Sequence, residues 1–290
     1  MSFLSSGVAV VTGAGSGIGR ALAEQLAAAG SALALADVDE TALQQTAQSL
    51  AETSALVTTH GVDVAKEEKI KAFAADVERC HGRVTLLINN AGVALYGNFE
   101  EISLEDLRWL MEVNFWGVVY GVRYFLPLLK REPRAHIVNL SSVFGLIAPA
   151  GQAAYAASKF AVRGFTEALR HELGGSRVGV SCVHPGGIRT SIARRARLGA
   201  GASAAGHRES VARFERLART CPEGAAARIL RGIERSEPRI LIGRDAYQLD
   251  ILQRLRPGSY WKPLAKKLEG ASGRQPGSHG QGNQQAESPH

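Results

Sequence analysis

Cysteine is scarce in this chain of 290 residues, and its three copies, Cys80, Cys182 and Cys221, lie far apart. An odd number without ligand spacing argues against a disulfide framework and against a zinc module. Reduced thiols are expected, with Cys182 buried in a strand, and the expected address is cytoplasmic. No apolar run reaches the length of a membrane span. The opening residues Met1-Ser-Phe-Leu-Ser-Ser-Gly7 lack the basic region and apolar core of a signal peptide. Histidines such as His60, His81, His136, His171 and His184 are scattered singly, so no metal is expected. Net positive charge is missing from most of the chain as well. The formal net charge is +7, and the stretch from Arg189 to Arg219 supplies nearly all of it, with eight arginines against Glu209 and Glu215. No nucleic-acid-binding module accompanies that stretch, so no nucleic-acid partner is expected. What remains is the composition of a globular protein, 45% hydrophobic and 21% charged, long enough to bury a sizeable core.

Val8-Ala-Val-Val-Thr12 has the pattern of a short buried strand and runs into Gly13-Ala-Gly-Ser-Gly17-Ile-Gly19. A helix follows, marked by Ala21, Leu22, Leu26 and Ala27. Strand, glycine turn and helix together present backbone N–H groups and a helix N-terminus to a pyrophosphate. The next strand, Ala32 to Ala36, ends at Asp37. A carboxylate there accepts hydrogen bonds from ribose hydroxyls and repels a 2′-phosphate. Ser16 and Val38 offer no positive charge to receive such a phosphate, so NAD is favoured over NADP. The competing reading of Asp37 is a helix N-cap.

Helices and strands then alternate: helix 41–51, strand 55–60 ending near Asp63-Val64, helix 67–80, strand 84–88, helix 104–129, strand 136–140, a helix through Tyr155, and strand 178–183. This alternation implies a three-layer, doubly wound parallel β-sheet, a Rossmann fold, with helices on both faces. Right-handed crossovers bring every strand's carboxyl end to one edge. The glycine turn, Asp37, Asp63, Asn89-Asn-Ala-Gly92, Ser142 and Pro185-Gly186 all follow strands and should meet in one crevice.

Tyr155 and Lys159 are four apart on an apolar-striped helix and therefore share one face. A neighbouring ammonium favours phenolate, which predicts a tyrosine pKa below its usual value of about 10. Such a tyrosine can serve as general acid or base at an alcohol or carbonyl oxygen.

Together these motifs resemble the short-chain dehydrogenase/reductase family, in its single-domain branch. Thr12-Gly-x-x-x-Gly-x-Gly19, Asn89-Asn-Ala-Gly92, Asn114, Ser142, Tyr155-x-x-x-Lys159 and Pro185-Gly186-x-x-x-Thr190 stand in the family's order. The resemblance implies that Tyr155 exchanges the proton, Lys159 tunes it and holds the nicotinamide ribose, Ser142 polarises the substrate oxygen, and Asn114 holds a relay water. It further implies cofactor contacts at Gly13, Ser16, Gly17, Ile18, Gly19, Asp37, Asp63, Val64, Asn90, Ala91 and Gly92. Pro185, Gly186, Ile188 and Thr190 would meet the nicotinamide and its phosphate. Ser141 is the competitor of Ser142, and a helix–helix hydrogen bond is the competing reading of Asn114.

The implied activity is NAD-dependent hydride transfer between a nicotinamide and a hydrophobic alcohol or carbonyl compound. The alternatives are an NADP-dependent carbonyl reductase and a non-catalytic dinucleotide sensor. Residues 1–256 are expected to form one domain, with 191–221 as a substrate lid hinged at its glycines. Leu95, Tyr96, Val143, Phe144, Leu146 and Ile147 are expected to line an apolar pocket. Residues 257–269 read as a C-terminal extension and 270–290 as a disordered tail. The apolar residues between Ile251 and Leu268, interleaved with cations, fit either packing on the domain or a membrane surface, with packing favoured. A homodimer or homotetramer is expected, with helices 104–129 and the Tyr155 helix as the candidate interface.

Overall fold

The computed structural model describes residues 3–53 and 55–270, with side chains up to Ala265. The expected tail, from residue 271 on, lies outside the described residues, as do the side chains of Lys266, Lys267 and Leu268. In chain order the elements are β1 (Val8–Thr12), α1 (Gly17–Ala28), β2 (Ala32–Asp37), α2 (Glu40–Ser49), β3 (Val57–Gly61), α3 (Glu67–His81) and β4 (Leu86–Asn89). Then come β5 (Leu95–Tyr96), α4 (Leu104–Met111), α5 (Gly117–Leu129), β6 (Ala135–Leu140), α6 (Ala153–Glu172) and β7 (Val178–Pro185). The last are β8 (Arg197–Leu198), α7 (Ala204–Leu217), α8 (Pro222–Glu234), β9 (Arg239–Ile242), α9 (Arg244–Leu255) and α10 (Trp261–Gly270).

Seven strands form one sheet in the order β3-β2-β1-β4-β6-β7-β9, and every pairing is parallel. The central strands are buried because both faces of the sheet are covered, whereas the edge strand β3 is polar and only half-buried. Alternate residues enter opposite layers: Ala9 and Val11 pack with Leu22 and Leu26 of α1 and Ile229 and Ile233 of α8. Val10 packs with Ile70 and Phe73 of α3 and with Val122 and Phe125 of α5. The doubly wound Rossmann architecture is therefore the observed one. The order reverses at β1, whose neighbours are β2 and β4, and a ligand crevice opens at such a switch point.

The helix expected over 104–129 is not a uniform α-helix. Residues Glu112–Trp116 form a π-turn between α4 and α5. A second, two-stranded parallel ribbon of β5 and β8, whose strands are two residues each, escapes any periodicity argument.

The C-terminal segment packs on the domain. Tyr260 and Leu264 sit against Val143, Leu146, Ile147, Leu241 and Ala246, and the Tyr260 hydroxyl accepts a hydrogen bond from Ala148 N–H at 2.9 Å. Ile251 and Leu255, by contrast, face outward, 56% and 77% exposed. Among the described residues no helix is long and apolar enough to cross a membrane.

Candidate active site

The strand ends bring the sequence motifs together, beginning with the glycine turn. Gly13 (φ +65°) and Gly17 (φ +54°) adopt left-handed conformations that favour glycine. A Cβ on Gly13 would also press on the Ala91 backbone at 2.8 Å. Thr12 locks this turn to the Asn90 loop: its hydroxyl accepts N–H bonds from Asn90 (3.0 Å) and Ala91 (3.1 Å). In return the Asn90 amide donates to the carbonyls of Thr12 (2.9 Å) and Gly13 (3.1 Å). The Asn90 side chain is thus spent on the scaffold, leaving its backbone to face a ligand. Ser16 is the N-cap residue of α1 without a side-chain cap bond. Gly19 is buried, and Ile18 packs toward the core.

Asp37 ends β2, and its carboxylate accepts from Gly15 N–H (2.8 Å) and Asp39 N–H (3.0 Å). The cap of α2 is Asp39, which accepts from Ala42 N–H, so Asp37 is not the helix cap. Asp63 accepts from Ala65 N–H at 3.0 Å. Val64 is buried, against the position a Cβ on Gly117 would take. Its side chain is therefore core, and only its backbone can border the crevice. On the opposite wall, Gly186 N–H donates to the Ile242 carbonyl, and Ile188 is buried and bridges Thr220. The Thr190 methyl lies 3.1 Å from where a Gly17 Cβ would stand. That contact joins the glycine turn to the Pro185–Thr190 wall.

Tyr155, Ser142, Lys159 and Asn114 converge at the centre of the edge. Ser142 follows β6, and its hydroxyl accepts from Phe144 N–H at 3.1 Å and lies beside the Tyr155 phenol. Its neighbour Ser141 points inward, donating to the Lys159 carbonyl at 2.7 Å, which leaves Ser142 as the serine beside the phenol. Lys159 Nζ lies 5.7 Å from the Tyr155 ring centre and donates to the Leu140 carbonyl at 3.1 Å. Asn114 sits in the π-turn, fully buried. Its Oδ1 accepts from Val93 N–H (2.8 Å), and its amide donates to the Val93 carbonyl (3.0 Å) and to Ser158 Oγ (3.1 Å). Asn114 Oδ1 and Lys159 Nζ are 3.2 and 3.3 Å from the point where a Gly92 Cβ would be. The missing side chain at Gly92 leaves the lysine and asparagine open to the same small space.

The electrostatics correct one expectation. Burial pushes the Tyr155 phenol up, to about 12, with the Ser142 hydroxyl pulling the other way. Burial also brings the Lys159 ammonium down to about 8. The same desolvation disfavours both charged forms, and it outweighs the attraction expected from their four-residue spacing. In the protein alone Tyr155 is a neutral phenol.

The pocket expectation also changes. Leu95, Val143, Leu146 and Ile147 are core residues, each under 7% exposed, whereas Tyr96 and Phe144 keep open surface. Phe144 meets Tyr155 edge-on at 6.1 Å. Within residues 191–221, Val211 and Phe214 are partly open, Leu217 is exposed and Ala218 is buried. The glycines of this segment are close-packed: Gly199 and Gly201 lie against the Glu101 backbone, and Gly206 lies under the Tyr96 hydroxyl. Arg197 stacks on Trp109 at 3.8 Å and pairs with Asp106 at 3.1 Å, and Arg194 pairs with Glu215.

Sequence reasoning missed Thr12 as a lock, Ser158 as Asn114's partner, and the buried run in which Asn89 donates to Asn139 (2.8 Å) and Asn139 to Thr166 (3.0 Å). A hydroxyl closing an apolar strand beside a glycine turn was a readable signal for Thr12. Ser158 had none. It also missed Arg20, which donates to Gly15 O (2.8 Å) and Thr46 Oγ1 (3.0 Å) and braces the glycine turn from below.

A profile of the short chain dehydrogenase family matches residues 7–200. SadH of Mycobacterium tuberculosis, a protein named as an oxidoreductase, is 45% identical over 269 residues, covering 91% of this chain and 96% of its own. A Burkholderia phymatum short-chain dehydrogenase/reductase solved in complex with NAD superposes with a TM-score of 0.82 at 36% identity, over 89% of this chain and 96% of that one. An alcohol dehydrogenase from Thermococcus sibiricus, complexed with 5-hydroxy-NADP, gives 0.70 at 26% identity, over 82% and 96%. With its glycine turn and its Ser142–Tyr155–Lys159 cluster set on this sheet, the chain belongs to the short-chain dehydrogenase family.

Proposed function

We propose that this protein is an NAD-dependent dehydrogenase/reductase that moves hydride between a nicotinamide and a hydrophobic secondary alcohol, or its ketone or aldehyde. The observation that carries the reading is the convergence of Tyr155, Ser142, Lys159 and Asn114 at the mouth of the crevice. Residues 1–256 act as the dinucleotide-binding and catalytic domain, with 191–221 over the substrate.

The chain's crevice fits the dinucleotide on its own geometry. The turn from Gly13 to Gly19 is free of side chains where the backbone must approach a pyrophosphate, and α1 points its N-terminus there. Asp37, held by two N–H groups, keeps further lone pairs for ribose hydroxyls. The bound nicotinamide supplies or accepts the hydride. Tyr155 Oη exchanges the proton with the substrate oxygen, and Ser142 Oγ, beside that phenol, holds the same oxygen in place. Lys159 and Asn114, open to one space beside Gly92, refill the phenol's proton through a bound water. Phe144, edge-on to Tyr155, presents an apolar wall that suits a bulky hydrocarbon.

A second copy of the chain completes the reading. The outer face of α5 and α6 carries a groove of about 440 Å³ lined by Val119, Arg123, Leu126 and Phe165, flanked by exposed Trp116 and Phe160. We assign this face to a homodimer.

The test is a panel of hydrophobic and polyhydric alcohols read by NADH absorbance. Turnover confined to small hydrophilic polyols would overturn the apolar-pocket reading. The cofactor is tested in the same assay. Placing a 2′-phosphate against Asp37 sets two like charges together, so kcat/KM with NAD should exceed that with NADP by about tenfold or more. Arg20 is committed to Gly15 O and Thr46 Oγ1 and gives that phosphate no relief. Asp37→Ser should narrow the ratio from the NADP side. Equal efficiency in the unaltered enzyme would refute the preference.

A further inference from the structure

The loop after β7 is fastened by a residue from the far end of the chain. Gly187 N–H donates to Asp245 Oδ2 at 2.7 Å across 58 positions. Asp245 lies in the first turn of α9, shortly after Gly243, which takes φ +91°. A Cβ on Gly186 would collide with all three atoms of the carboxyl group, and one on Gly243 would collide with Oδ1. The carboxylate is thus wedged between two glycines, and Gly186 N–H bonds the Ile242 carbonyl beside it at 2.9 Å. The other side of the same segment is fixed by the end of the lid, where Arg189 N–H donates to the Thr220 carbonyl at 2.9 Å. The neighbouring Asp250 serves Arg239 and Arg254. Asp245 belongs to none of the ion pairs among the described residues.

We infer that Asp245 is a positioning residue for the nicotinamide half of the cofactor site. It holds the Pro185–Gly187 turn at the height needed to border the nicotinamide, without itself touching the reacting atoms. The inference rests on the function proposed above, in which that turn meets the nicotinamide. A charge-assisted hydrogen bond to a backbone N–H is stronger than a neutral one, and its loss releases the Gly187 N–H and the loop that carries it. The adenosine half is held by Asp37 and the glycine turn, on the other side of the sheet's switch point, and does not depend on Asp245.

The experiment compares two probes on the full-length protein: NADH, followed by its fluorescence, and AMP, followed by calorimetry. Asp245→Ala should weaken NADH by about tenfold or more and leave the AMP dissociation constant within about twofold. Asp245→Asn keeps an acceptor oxygen in the same place and should recover most of the NADH affinity. Asp245→Ser, which is smaller and polar, reads the same ratio if the alanine variant fails to fold. Equal weakening of NADH and AMP would mean a general loosening of the fold, and unchanged NADH affinity would mean that the turn needs no strut; either result overturns the inference. Unaltered protein that binds AMP but not NADH would instead overturn the proposed function, and this inference with it. The two failures are therefore separable.

Discussion

Tyr155→Phe is expected to lower turnover by about 10²- to 10⁴-fold, the usual range for a positioned acid or base, while NADH still binds within about twofold of the unaltered protein. Phenylalanine preserves the ring that meets Phe144 and packs beside Leu110 and Ala154, and it removes only the oxygen beside Ser142. A loss confined to kcat would therefore report the proton transfer and not the packing. The same variant checks the ionisation state. Because burial raises the phenol to about 12, the protein without cofactor should show no phenolate absorbance from Tyr155 at pH about 10, where an ordinary tyrosine is half ionised. The difference spectrum against Tyr155→Phe should be flat there. Turnover that survives the substitution would remove Tyr155 from the mechanism. A protein that binds NADH yet oxidises none of the alcohols and reduces none of the ketones would favour the sensor reading.

The second large effect is on stability in acid. His136 and His184 are buried, 3% and 0% exposed. Desolvation holds each down to about 4, with Arg134 adding to the effect at His136 and the Ser142 carbonyl opposing it at His184. Each imidazole is neutral in the fold, whereas in the unfolded chain it gains a proton below about 6.5. The unfolded state then binds more protons, so stability is retained above pH about 6.5 and is lost as pH falls from there toward about 4. A tenfold change in proton affinity is worth ~1.4 kcal/mol, so each histidine accounts for ~3 kcal/mol and the pair for ~6 kcal/mol. That is comparable with the whole stability of a typical domain, about 5–15 kcal/mol. Denaturant unfolding at pH 7, 5.5 and 4.5 should show a steep fall in midpoint, and His136→Gln should flatten it. A midpoint that does not move over that interval would contradict the burial of both rings.

The sheet was legible in the sequence because a parallel strand covered on both faces is mostly apolar. Val8–Thr12 and Ala32–Asp37 read that way, and Ala135–Leu140 and Val178–Pro185 do so around the buried polar residues His136, Asn139, Ser181 and His184. The grouping of Tyr155, Lys159 and Ser142 was legible because the spacing is local, Tyr155 to Lys159 on one helix, or because the residue closes a strand, as Ser142 does. What stayed hidden depends on the third dimension. The ionisation of Tyr155 turned on how far desolvation outweighs a nearby charge, and no spacing reports that. Val143, Leu146 and Ile147 looked like pocket lining because apolar residues beside a candidate catalytic serine suit either a pocket or a core. Here Tyr260, Leu264 and Ala246, from the far end of the chain, cover them as core. The glycines at 199–206 suggested a hinge by composition, and their close approach to Glu101 and Tyr96 is a contact that composition does not report. Ser158 and Asp245 act on Asn114 and Gly187, partners distant in sequence, and leave no local pattern.

The π-turn at Glu112–Trp116 has a consequence for how this chain compares with its relatives over time. A π-turn is an α-helix carrying one surplus residue, so that everything after it is rotated by about 100° relative to the phase set before it. Leu110 ahead of the turn and Val122 and Phe125 behind it each meet their own cluster only because that extra residue is kept. Loss of a single codon within the turn would swing Asn114 off Val93 and Ser158, and it would also bring one half of a long helix out of register with its neighbours. Gradual substitution can drift around such a feature, but length cannot. The turn should therefore behave as a fixed-length segment in descent, intolerant of any insertion or deletion.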